Sequence, residues 1–307
     1  PLIITAIVSN AAGMLTLVSD PATFLVGRAI GLSFVDYIRL VSLGGVLAVL
    51  VVVPFLPLLL PRVWRVRTPL PPSKPVAITH PGFLTMALLV ALLMVVLFIV
   101  GESLPNHIVP AQVAIIGASL ALLVVYSVHI EPVSAVIRDV DWKTLVFLAA
   151  IFTLVQAFIK TELLQGLSIQ LYGWFGSQFT LVALLTLFSI GTIGFVVANI
   201  PLVAAALVMI QGYLVAAQAV PEIALAPGFS DWPAATLPVF VAMMFGGTLG
   251  GNATMIGASA NIVAVGICAS HGRRVSFMQF LRIGLPITVV QLSIGALYVW
   301  VLASTLG

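Results

Sequence analysis

The stretch "GGNATMIGASAN" (residues 250–261) lies between two apolar runs, residues 236–249 and 262–269. Such a density of glycines, amides and hydroxyls is what a helix in hydrocarbon avoids, because unpaired backbone groups there are strongly penalised. The chain around it is made for hydrocarbon. Of 307 residues, 62% are hydrophobic and only 7% charged, against about 25% charged in a soluble domain. Runs at 82–100 and 111–128 are apolar on every side, close to the roughly 20 residues a helix needs to cross a ~30 Å hydrocarbon core. Period-2 alternation is absent, which argues against a β-barrel. The composition therefore predicts an all-α polytopic membrane protein, embedded in the bilayer of a cell or inner membrane. Within it, residues 250–261 read as the unwound middle of a broken helix.

Charge gives the orientation. The formal excess is only +3 and sits in loops, so it carries topology information and no nucleic-acid partner is expected. Residues 61–81 hold Arg62, Arg65, Arg67 and Lys74 among prolines and read as an extended cytoplasmic linker. With that linker inside, Arg138, Lys143, Arg273 and Arg274 also fall inside. Spans are expected over 40–60, 82–100, 111–128, about 142–159 and 281–304, with an interfacial segment at 160–178 carrying Tyr172 and Trp174. Residues 179–217 form two apolar arms meeting at Asn199-Ile-Pro201 without a charged loop. They fit a re-entrant hairpin better than two complete spans.

The broken helix has an echo. Aligning Gly251 with Gly13 puts Asn252 opposite Met14, Thr254 opposite Thr16, Ser259 opposite Pro21 and Asn261 opposite Thr23. Downstream, "SFMQFLRI" (276–283) matches "SFVDYIRL" (33–40), pairing Arg282 with Arg39. Both arginines are expected to be interfacial anchors. The charge rule runs the first broken helix outward and the second inward. Two related units of opposite sense mark an inverted-repeat secondary transporter.

A break exposes helix ends. A half-helix N-terminus suits an anion, and freed carbonyls suit a cation. The candidate ligands are Gly251, Asn252, Thr254, Ser259 and Asn261 in the second unit, and Ser9, Asn10, Thr16, Asp20 and Thr23 in the first. Asn199 at the hairpin tip joins them, with Ser189 and Thr192 upstream. A lone hydroxyl in a membrane helix usually bonds back to its own backbone, whereas two amides in one break need partners. Asp20, the one acid inside a break, can carry a coupling proton or ligate Na⁺, or simply cap the helix opened by Pro21. No resident cofactor is expected. Na⁺ or H⁺ is the expected coupling ion, with Na⁺ placed at Asn252 and Asn261. The single cysteine, Cys268, and four loop histidines offer no metal-ligand spacing, and no nucleotide or hydrolase motif points to an enzyme.

At these residues the chain resembles the ion transporter superfamily, in the branch of arsenite-efflux permeases, the P protein and NhaD-type sodium–proton antiporters, related to divalent anion–sodium symporters. The resemblance rests on "SNAAGMLTLVSDPATF" (9–24), "ANIP" (198–201), "GGNATMIGASANIV" (250–263) and "VDWKTLVFLAAIFTLVQAFIKTELL" (140–164). The chain departs from the branch at Ala198, Ser19 and Thr23, where Asp, Gly and Asn are usual. The resemblance implies a homodimeric, elevator-type transporter whose first hairpin precedes the present sequence. It implies transport-domain halves at 1–60 and 179–307, the linker at 61–81 and scaffold-like spans at 82–178. The expected function is secondary transport of a small inorganic or organic anion, of arsenite or dicarboxylate type, coupled to H⁺, Na⁺ or membrane potential. The alternatives are a Na⁺/H⁺ antiporter and a non-transporting membrane subunit.

Overall fold

The computed structural model describes residues 2–65, 78–129, 132–140, 163–226 and 228–307, with isolated positions between 142 and 160. Most of the span expected over 142–159, and residues 66–77 of the linker, lie outside the described residues. Every regular element among the described residues is helical. The main helices are α1 (Leu2–Ala12), α2 (Pro21–Ala29), α3 (Phe34–Leu59), α4 (Pro81–Val100), α5 (Pro110–Val128), α6 (Leu163–Phe175), α7 (Phe179–Ile193), α8 (Asn199–Ala216), α9 (Leu237–Gly250), α10 (Ser259–Ser270) and α11 (Phe277–Leu306). Six of the described helices are long and apolar enough to cross a membrane. The chain forms two compact units, residues 1–65 with 150–307, and residues 66–149. In the second, α4 and α5 pair, and Gly117 lets the two approach at Met94.

The larger unit contains both broken helices, and their backbones match residue for residue. After α1 comes a 3₁₀ turn, Gly13–Leu15, and then extended Thr16 (φ −140°, ψ 152°). After α9 comes the 3₁₀ turn Gly251–Ala253, and then extended Thr254 (φ −130°, ψ 162°). Each second arm starts after another extended residue, Asp20 (φ −135°, ψ 127°) before α2 and Ala258 (φ −140°, ψ 146°) before α10. The repeat seen in the letters is therefore a repeat of conformation.

Packing fixes the relative sense of the two. The first arm α1 lies along the second arm α10, and the first arm α9 lies along the second arm α2. Two broken helices that pair first arm with second arm run antiparallel. The spans that follow do the same. Gln291 of α11 meets Ala48 of α3, while Tyr298 further along α11 reaches back to Leu40. Ile4, Ile7, Val52, Phe280 and Ile287 cluster at one end with Leu59, Leu60 and Val275. That end carries the basic segments around Arg62 and Arg274.

Helices α7 and α8 form the hairpin. A side chain on Gly246 would meet Leu187 O at 2.6 Å and Ile190 Cβ at 3.2 Å, and one on Gly250 would strike the backbone of Gly191. Contacts that advance together along both helices mean that α7 and α9 run parallel. The hairpin thus turns at residues 194–198, at the depth where α9 breaks. Its tip lies against the second break.

Candidate functional site

A string of hydrogen-bonded amides joins the two breaks. Asn10 Nδ2 on α1 donates to Thr248 O (2.7 Å) and to Asn252 Oδ1 (2.9 Å). Asn252 Nδ2 donates to Gln291 Oε1 (2.9 Å), and Gln291 Nε2 donates to Ala48 O (2.9 Å). The Thr248 hydroxyl donates to the Asp20 carboxylate (2.8 Å). Thr248, Asn252 and Gln291 are fully buried, and Asp20 is 8% exposed. The string lies on the pseudo-twofold axis. Asn10 and Thr248 are 238 residues apart, the offset that aligns the breaks, and Ala48 and Gln291 are 243 apart, the offset of the following spans. Residues that touch their own repeat mates mark the axis.

Asp20 is also the cap that the "SDPA" pattern suggests: its side chain accepts from Thr23 N–H, with Pro21 opening the helix. Thr23 bonds locally, to Asp20 O at 2.9 Å. The Thr16 and Ser19 hydroxyls bond each other. Tyr37 and Ser42 of α3 hold the first 3₁₀ turn through Met14 O and Leu15 O.

The second break is held differently. Asn261 Nδ2 donates to Gly251 O and Thr254 O, both at 2.9 Å, so one amide spans the unwound segment. These two carbonyls fix the amide's orientation, because a flip would set oxygen against oxygen. Asn261 Oδ1 is then a buried acceptor without a hydrogen-bond partner. The Thr254 hydroxyl donates to Phe195 O and ties the hairpin tip to the break. Gly257 allows a close backbone approach, since a side chain there would meet Gly251 O at 2.6 Å and Gly194 O at 2.8 Å.

Three helix N-termini start at this depth. Helix α2 is capped by Asp20, whereas α8 and α10 carry no side-chain cap, Ala198 and Ala258 standing at their N-cap positions. Leu25 of α2 packs on Ala204 of α8, about the same distance into each helix, so those two N-termini stand side by side. Uncapped N–H groups at a helix start favour an anion. Ser9, Ser19 and Ser259 are exposed there, and Thr16 and Asn199 are half-buried. Ser189 and Thr192 are exposed on α7.

The structure thus brings Asn10, Asp20 and Asn252 together as cross-links, and Gly251, Thr254 and Asn261 together around the second break. Thr16, Ser19, Ser259 and Asn199 line the accessible margin. Thr248 and Gln291 escape a reading by spacing. A lone threonine in an apolar helix reads as bonded to its own backbone. The usable signal for Gln291 was an uncharged amide in the middle of an otherwise apolar final span.

The profile of the citrate transporter family matches residues 1–228. Over 309 aligned residues the chain is 44% identical to an uncharacterized transporter of Synechocystis sp., covering all of this chain and 69% of that protein. It is 32% identical over 303 residues to an uncharacterized transporter of Mycobacterium tuberculosis, covering 95% of this chain and 65% of that one. The human P protein is 30% identical over 212 residues, 69% of this chain and 24% of the P protein. The chain therefore spans about two thirds of the length of the bacterial relatives.

Proposed function

The chain belongs to the citrate transporter family, which makes it an integral, multi-pass membrane protein of a transporter class and not an enzyme; on that premise we propose that it carries a small carboxylate anion such as citrate by secondary transport. The observation that carries this reading is the meeting of two antiparallel broken helices at one buried polar core, with two uncapped helix N-termini at its edge. Each such terminus presents about half a positive charge and free N–H groups. The hydroxyls of Ser19 and Ser259 and the amide of Asn199 add neutral donors, which bind a carboxylate without holding it too tightly to leave.

The anion travels with a cation. Asn261 Oδ1 supports this part of the reading, because a buried lone pair without a donor costs about 1–3 kcal/mol and suits a small cation. Asn252 already accepts from Asn10 and donates to Gln291, so the reading places the cation first at Asn261. Asn261→Ala is expected to raise the Na⁺ concentration for half-maximal citrate uptake by about tenfold, an order of magnitude set by loss of one such ligand. An unchanged Na⁺ dependence would remove Na⁺ from this site.

Binding itself is tested by thermal unfolding of the purified protein. Citrate at about 100 times its Kd stabilises the folded state by about 2.7 kcal/mol, so the midpoint is expected to rise by several degrees. Asn199→Ala and Ser259→Ala should shrink the rise. Absence of a shift with citrate and with other small anions would sink the anion reading.

A further inference from the structure

We infer that Gln291 is a positioning residue: it anchors the axial amide string to α3 and so makes the two breaks respond as one body. Ala48 O is a backbone acceptor in α3 and must receive an N–H, so Gln291 has to present Nε2 to it. Its Oε1 then faces Asn252 and must receive, which obliges Asn252 to present Nδ2. Asn252 Oδ1 in turn receives from Asn10 Nδ2, whose amide also bonds Thr248 O. The same Thr248 separately sends its hydroxyl to Asp20, the cap of α2, which brings that cap to the end of the string. The string is thus pinned by a backbone carbonyl at each end, Thr248 O at Asn10 and Ala48 O at Gln291, and Gln291 is the link that ties both breaks to α3.

The repeat sharpens the point. The mates of Asn252, Gln291 and Asp20 are Met14, Ala48 and Ala258, so the string has no symmetric copy. Gln291 is fully buried and both ends of its amide are engaged within the protein. Buried away from the accessible margin, it acts on the first break through Asn252.

Hydrogen exchange of the purified protein tests this without knowledge of the substrate. In Gln291→Met, which keeps the length and removes the amide, backbone exchange over residues 12–24 is expected to rise about tenfold. Exchange in α5, in the other compact unit, should stay at the wild-type rate. Because Gln291 acts through Asn252, adding Gln291→Met to Asn252→Leu should accelerate residues 12–24 no further. Wild-type exchange over 12–24 in the single variant would overturn the inference. So would a uniform rise across the chain, or additivity in the double variant. Gln291→Asn keeps the amide with a shorter reach and should give an intermediate rise, which decides the matter should the Met variant not be recovered. Citrate uptake measured alongside separates the two readings: an inactive wild type counts against the proposed substrate while exchange still decides on Gln291.

Discussion

Gly250→Ala is expected to abolish uptake and to remove most of the folded protein. A Cβ at this position falls on the carbonyl oxygen of Gly191, with its Cα at 2.7 Å and its carbonyl carbon at 2.9 Å. All three are backbone atoms, so no side chain can swing aside. Overpacking a core costs about 1–3 kcal/mol when neighbours can adjust. Here α7 and α9 would have to separate, and the expected loss is at or above the top of that range. Gly266→Ala in α10 is the control. Nothing lies within 4 Å of its added methyl, and removing a helical glycine gains up to about 1 kcal/mol. Thermal unfolding in detergent and yield of monodisperse protein measure both. A Gly250→Ala protein as stable and active as wild type would mean that the hairpin does not seat on the second break.

The second large effect concerns Asp20. Asp20→Ala removes the α2 cap, worth about 1 kcal/mol, and leaves the buried Thr248 hydroxyl without its acceptor, worth about 1–3 kcal/mol. Together the loss should be about 2–4 kcal/mol, seen as a lower unfolding midpoint and little transport. Asp20→Asn keeps an oxygen for both donors and is expected to retain stability and uptake within about twofold, since Asn caps as well as Asp. Uptake lost in the Asn variant at unchanged stability would assign Asp20 a charge-dependent role, that of a coupling acid.

Much of the architecture was legible because hydrocarbon makes polar residues conspicuous. The glycines and amides of 250–261 announced a break, "SDPA" announced a cap, and Asn199-Ile-Pro201 between uncharged arms announced the hairpin tip. The antiparallel sense followed from loop arginines alone. What the letters could not supply was partnership. Asn10 and Asn252 read as ligands because amides in a break must bond something, and the structure shows that they bond each other and Gln291. Spacing within one helix cannot disclose a contact 242 residues away. Thr248 was hidden for the same reason, its hydroxyl reaching across the axis to Asp20. The glycines of α7 and α9 showed as small residues in apolar runs, but which backbone each one admits is a tertiary fact.

The central claim is that two antiparallel broken helices carry a small carboxylate across the membrane. The most direct measurement is uptake of radiolabelled citrate by the purified protein in liposomes under an inward Na⁺ gradient. Accumulation above the external concentration, abolished when the gradient is dissipated, is the result predicted. No accumulation of citrate or of any other small anion, with proton flux appearing on addition of an alkali cation alone, would contradict the account and make the protein a cation–proton antiporter.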